Sequence, residues 1–177
     1  MLFRSRISQN WSDLRSTSAK SGSFWVALES IQNPGNLGTI LRTCDAVGAS
    51  GLILLDDSTD PYDPAAVKAS MGSIFTVPHF RAGFTDFAAF LEHSTNLVVI
   101  GTSDKAATSA FETAFPPTLL LLLGSERQGI SDQYVALCSQ MLRIPMQGAC
   151  DSLNISVAAG VMLYQIYQNR HPERRLS

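Results

Sequence analysis

A run of consecutive leucines at residues 119–123 constrains this chain more than any other feature. Along an extended strand, successive side chains point to opposite faces of a sheet. An unbroken apolar run therefore needs cover on both faces, as strands of a parallel sheet do. The run is far shorter than the roughly 18 residues that would span a bilayer.

The rest of the chain alternates in the same sense. Strands are expected at residues 24–28, 51–55, 74–77, 97–100, 118–123 and 142–144. Helices are expected between them. Leu37, Ile40, Leu41, Cys44 and Val47 recur at helical spacing, with Asn36 placed to cap the start and Gly48 to end it. Asp63-Pro64 opens a short helix, with the acid as cap and proline at the first helical position. Further helices are expected across 84–92, from a Ser131 cap to about 139, and over 152–167. The last is apolar nearly all round (Leu153, Val157, Ala158, Val161, Met162, Ile166), so it must be buried in the core or in a subunit interface. The expected fold class is α/β, with a mainly parallel sheet covered by helices on both faces.

A length of 177 residues suits one domain with short appendages. Its body is expected at 24–168, after a short basic N-terminal extension or linker at 1–23 and before a basic tail at 169–177. Residues 1–20 lack the apolar segment of a secretory signal. Cys44, Cys138 and Cys150 form no CxxC, which reads as free thiols in a reducing cytoplasm. His79, His93 and His171 are scattered, so no metal-ligand spacing exists and no metal is expected.

The formal net charge is −2, which argues weakly against a general nucleic-acid-binding surface. Its distribution says more: residues 1–30 and 166–177 each carry +2, and residues 31–165 carry −6. Any grip on nucleic acid should use the ends, including Arg170, Arg174 and Arg175, or specific arginines.

Three segments hold glycine and polar residues where strands give way to helices, which is where open α/β sheets bind ligands. The first runs Asn33-Pro34-Gly35-Asn36-Leu37-Gly38-Thr39-Ile40-Leu41-Arg42-Thr43. Arg42 falls between the apolar positions, so its fork of donors can face a phosphate or simply solvent. The second runs Leu123-Gly124-Ser125-Glu126-Arg127-Gln128-Gly129-Ile130. Gly124 permits close approach to the backbone. Glu126 could bind a donor of the substrate, although holding loop amides is the simpler role. The third joins Ile144-Pro145-Met146 to Ser152-Leu153-Asn154 at the mouth of the final helix. There Ser152 reads equally well as a helix cap or as a catalytic group.

The combination and order of these segments resemble the SpoU (TrmH) branch of the SPOUT methyltransferases. The first motif spans Asn36 through Arg42 to Gly48, the second Leu123-Gly124-Ser125-Glu126 to Gly129, and the third Ile144-Pro145-Met146 with Ser152-Leu153-Asn154. Arg127 departs from the pattern, since many members have glycine there. The resemblance covers about residues 24–168. It implies a C-terminal deep trefoil knot, a homodimer, and transfer of a methyl group from S-adenosyl-L-methionine (SAM) to a ribose 2′-hydroxyl of tRNA or rRNA. The cofactor would be held around Thr102, Gly124, Ser125, Ile144, Met146 and Leu153. The acceptor would be met by Arg42, Asn36, Glu126, Ser152 and Asn154. A guanidinium stays protonated in proteins, so binding a phosphate and polarising the hydroxyl suits Arg42 better than acting as a base.

Methylation of a base nitrogen is a neighbouring reading. A dinucleotide-dependent oxidoreductase is disfavoured because no GxGxxG follows the first strand. A non-catalytic RNA-binding or assembly factor would not need Arg42, Glu126, Ser152 and Asn154 together.

Overall fold

The computed structural model describes residues 21–94, 96–125, 127–149 and 152–174. Glu126, Cys150, Arg175 and most of the expected N-terminal extension lie outside the described residues.

The strands are β1 (Phe24–Glu29), β2 (Gly51–Leu55), β3 (His79–Ala82), β4 (Val98–Thr102), β5 (Thr108–Ser109), β6 (Leu119–Leu123) and β7 (Gln140–Arg143). They form one sheet in the order β3-β2-β1-β6-β4-β7-β5, and every described pairing is parallel. The helices are α1 (Pro34–Val47), α2 (Pro64–Ser70), α3 (Phe84–Glu92), α4 (Asp132–Val135) and α5 (Ile155–Arg170).

The leucine run lies in β6, near the middle of the sheet, and feeds two cores. Leu119, Leu121 and Leu123 pack with Leu37, Ile40 and Leu41 of α1 and with Met162, Leu163 and Ile166 of α5. Leu120 and Leu122 face the other side, with Phe87 and Phe90 of α3 and Tyr134 of α4. All five leucines are buried, each contributing about 1.5–3 kcal/mol relative to exposure.

The chain lays β1, β2 and β3 side by side, then places β4 two positions from β1. The gap is filled later by β6. In the same way β7 enters between β4 and β5. Residues 103–107, which join β4 to β5, must therefore cross β7. Ser103 N–H donates to the Leu142 carbonyl at 2.9 Å at that crossing.

Several sequence expectations need correction. Residues 74–77 are not a strand. Ser73–Phe75 is a 3-10 turn, pinned where the Ser73 hydroxyl donates to Asp45 Oδ2 at 2.9 Å. The strand follows at His79–Ala82, masked in the sequence by His79 and Arg81. Arg81 turns its guanidinium onto the carbonyls of Ser58 and Thr59, at 2.8 and 2.6 Å. Asn33, not Asn36, caps α1, and its Oδ1 accepts from Asn36 N–H at 3.1 Å. Asn154, not Ser152, caps α5, and its Oδ1 accepts from Ser156 N–H at 2.9 Å.

The helix after Ser131 ends at Val135, and Ser131 makes no side-chain cap bond. The next strand starts at Gln140, earlier than expected, and ends at Arg143. One face of α5 lies in the core, with Ile155, Ala159, Met162, Leu163 and Ile166 buried, while Val157 and Tyr164 are half exposed. Arg170, one of the arginines expected to grip nucleic acid, is engaged within the fold. It donates to the Gly22 carbonyl and lies over the Phe24 ring, 5.6 Å from its centroid. Burial lowers its pKa, as expected of a cation tied into the fold.

Candidate active site

The carboxyl ends of β4, β6 and β7 open into a pocket of about 730 Å³. Thr102, Gly124, Ser125, Ile144, Met146 and Leu153 all line it, and Ser152 joins them. The structure therefore gathers, from four separate stretches of chain, the six residues expected to hold a cofactor.

Local chemistry explains how the walls are held. Gly124 leaves β6 so close to the returning loop that a Cβ would fall 2.0 Å from the carbonyl carbon of Gly129 and 2.2 Å from Ile130 N. Only glycine fits there. Ser125 bridges to Gly129: its carbonyl accepts from Gly129 N–H at 2.9 Å, and its Oγ accepts from Gln128 N–H at 3.3 Å. Glu29, buried at the end of β1, accepts from Ser131 N–H at 3.0 Å and pins the far end of the loop. Thr102 Oγ donates to the Leu122 carbonyl at 3.4 Å.

Sequence reasoning missed Glu29 and the crossing residues Ser103, Asp104 and Lys105, which also line the pocket. The signal for Glu29 was an isolated acid closing an otherwise apolar strand. The crossing segment gave none, because its position follows from strand order alone.

The candidates for acceptor chemistry divide. Asn154 Nδ2 donates to Asn36 Oδ1 at 3.3 Å, joining the mouths of α5 and α1 beside the pocket residues Ser152 and Leu153. Asn154 Oδ1 also accepts from the Ser156 hydroxyl at 2.6 Å. Arg42 stands apart. It is exposed and does not line this pocket. At about 100° per residue, it lies about 120° around α1 from Asn36, on the opposite flank.

Titratable groups packed against the core are set against nucleophilic roles. Burial, then the nearby Glu29 carboxylate, pushes the Cys138 thiol up to about 11. Burial, then Asp45, pushes Cys44 up to about 12. Tyr134 is raised well above the usual phenol range, first by burial and then by its 2.9 Å hydrogen bond to Asp56 Oδ2. Among the described residues, no group of three or more His, Cys, Asp or Glu could hold a metal ion, and no helix is long and apolar enough to cross a membrane.

A parallel sheet with a ligand pocket at its carboxyl ends defines a class of α/β protein, and comparison with known proteins narrows it. Residues 23–164 match the SpoU rRNA Methylase family, and the chain belongs to that family. It is 37% identical over 143 residues to the 23S rRNA (uridine(2479)-2'-O)-methyltransferase of Streptomyces viridochromogenes, covering 78% of this chain and 50% of that protein. It is 33% identical over 152 residues to the 23S rRNA (guanosine-2'-O-)-methyltransferase RlmB of Haemophilus influenzae, covering 85% and 62%. The crystal structure of an AdoMet-bound rRNA methyltransferase from Sinorhizobium meliloti superposes with a TM-score of 0.84 at 34% identity, covering 95% of this chain and 63% of that one. The chain thus spans about half to two thirds of the length of these relatives.

Proposed function

We propose that this chain is a SAM-dependent methyltransferase acting on a ribose 2′-hydroxyl of rRNA or tRNA, with its catalytic domain at residues 24–168. The observation that carries the reading is the single pocket joining Thr102, Gly124, Ser125, Ile144, Met146 and Leu153, with the Asn36–Asn154 contact at its edge. The named activities of the relatives support ribose chemistry on rRNA. A structure titled for 2-OH methylation of C/U34 on tRNA supports the tRNA alternative. It is 28% identical with a TM-score of 0.76, and this chain covers 98% of it.

The pocket fits the cofactor. Its volume lies within the roughly 300–1,000 Å³ usual for small-molecule sites. Leu142, Ile144 and Leu153 offer apolar walls for a base, and the loop ends offer backbone groups. SAM supplies a methyl group already activated on a positively charged sulfur. The protein's task is then to aim the hydroxyl oxygen and take up its proton. Asn36, Ser152 and Asn154 supply hydrogen-bonding groups at the pocket edge, and Glu126 belongs to the same loop in sequence. Arg42 binds the neighbouring phosphate and polarises the hydroxyl.

The placement of Arg42 supports a homodimer in which it serves the partner's pocket. So does the outer flank of α5, where Val157 (51% exposed) and Tyr164 (50%) present an apolar face suited to a two-fold contact. The trefoil knot implied by the resemblance is supported by the crossing of residues 103–107 over β7. A cytoplasmic location fits the expected thiol chemistry.

The test is transfer of a labelled methyl group from SAM to unmodified 23S rRNA and tRNA transcripts, read by nucleoside mass spectrometry. Label on 2′-O-methyl nucleosides is expected. Label on a base would reject the ribose assignment.

A further inference from the structure

The turn after α2 presents two large apolar side chains to solvent. Met71 is 73% exposed and Phe75 is 55% exposed. Met71 also takes a left-handed backbone conformation, with φ of 50°. That conformation closes α2, because Met71 is its C-cap. The cap accounts for the backbone but not for the exposed side chain, which gains little from the core and so points to another use.

The neighbourhood says what the use is. α1 presses against α2 at Gly38, where a Cβ would fall 2.3 Å from the Ala66 carbonyl, and is tied to the following 3-10 turn at Asp45, which accepts from Ser73. Arg42 lies one turn from each of these positions, on the flank of α1 that faces α2 and the following turn. Lys68 is exposed on α2, and its carbonyl accepts from Met71 N–H at 3.3 Å. Asp45 is the acid at this edge, and its Oδ2 accepts from the Ser73 hydroxyl. Lys68 and Arg42 are thus exposed on the two helices that lead into and pack against this turn, in a middle segment (residues 31–165) that is otherwise strongly acidic. Cations beside exposed flat or polarisable side chains are the arrangement that holds an unpaired nucleic-acid strand, with phosphates on the charges and bases stacked beside them.

We propose that Met71 and Phe75, with Lys68 and Arg42, form a docking surface for the single-stranded RNA that flanks the methylated nucleotide. The proposal rests on the RNA methyltransferase reading above and adds the surface that grips the substrate. One flanking base stacks on Phe75 with Met71 at its edge, and the adjoining phosphates meet Lys68 and Arg42. Because Arg42 lies on the same flank, the surface leads the strand toward the pocket that Arg42 completes.

The test compares wild type with Phe75→Ser, Met71→Gly and Lys68→Ala. Met71→Gly removes the side chain while relieving the left-handed backbone, so misfolding does not confound it. RNA affinity is measured on the unmodified 23S rRNA and tRNA transcripts, SAM affinity by calorimetry, and oligomeric state by sedimentation. Phe75→Ser should weaken RNA binding between about fivefold and a hundredfold, with Met71→Gly weaker in the same direction. Lys68→Ala should lower the salt slope of binding by about one. SAM affinity and oligomeric state should not change. RNA binding equal to wild type in all three, with wild type active, would overturn the surface alone. A shift to monomer in Met71→Gly or Phe75→Ser would overturn it by showing that a second copy occupies the patch. A wild type that neither binds nor methylates either RNA would overturn the methyltransferase reading together with the surface.

Discussion

The pocket at the ends of β4, β6 and β7 and the surface shared by α1 and α2 sit on one chain but are built from different parts. The pocket is largely a matter of backbone. Gly124 presses against Gly129, Ser125 bridges across its loop, and Ser103 ties the crossing segment to Leu142. The α1–α2 surface depends on side chains that reach into solvent: Arg42, Lys68, Met71 and Phe75. A backbone site demands particular residues to shape its turns and then serves one ligand. A side-chain surface can be altered residue by residue without disturbing the fold, which suits recognition that differs between RNAs.

The sharpest way to break this contrast is Arg42. Arg42→Ala should cut methyl transfer by about 10²–10³-fold, typical of removing one electrostatic stabiliser, and leave SAM affinity unchanged. A co-expressed heterodimer of Arg42→Ala with Asn154→Ala, purified through two tags, then separates the two regions. With Arg42 serving the partner, one site is intact and works at about half the wild-type dimer rate. Activity no higher than either mutant homodimer, in an intact heterodimer that binds SAM, would place Arg42 in its own chain's site.

Gly124→Ala tests the pocket from the other side. Its methyl group would overlap the Gly129 backbone, so SAM affinity should fall by about one to two orders of magnitude in calorimetry. RNA binding through the α1–α2 surface should persist. Equal loss of both would show that the two regions are not independent.

Tyr134→Phe reaches the support beneath the pocket by removing the hydrogen bond to Asp56, at a cost of about 1.5 kcal/mol in denaturant unfolding. The folded phenol pKa lies above the unfolded value of about 10. The Tyr134 contribution is therefore fully present below pH 10 and lost as pH rises through the folded value. Wild-type stability should fall more steeply above pH 10 than that of the variant. Identical slopes would refute the assignment. The smallest effect is expected at Asn33→Ala, which removes the α1 cap for about 1 kcal/mol and leaves the pocket in place. Unchanged stability would mean that Asn33 is not the effective cap.

Legibility in the sequence follows the same division. Residues 51–55 and 84–92 read correctly, because one is an unbroken apolar strand and the other an amphipathic helix. The Asp63 cap with Pro64 behind it was equally clear. The six cofactor candidates share one pocket, and the resemblance that named them rests on glycines and short polar motifs at loop ends. β3 was misplaced because Arg81 satisfies two carbonyls and so breaks the apolar pattern that marks a buried strand. β5 has two residues, too few for any period. Asn33 and Asn36, and likewise Ser152 and Asn154, are chemically similar caps within a turn of each other, so only backbone geometry separates them. Phe75 fell inside the strand expected at 74–77, because composition cannot tell an exposed apolar side chain from a buried one.

The late entry of β6 and β7 has a consequence for how the protein is made. Among the described residues, β4 pairs only with β6 and β7, and β5 pairs only with β7. Both of those partners emerge from the ribosome after them. The three strands at residues 24–82 can assemble with α1 and α2 as soon as they are synthesised. Residues 98–109 must wait, their backbone donors and acceptors open to other chains. A nascent chain stalled after residue 118 would hold β4 and β5 with no lawful neighbour, and β1 with one bare edge. Translation through the leucine run is thus the point at which β4 can join β1, and β5 gains its neighbour only when β7 follows.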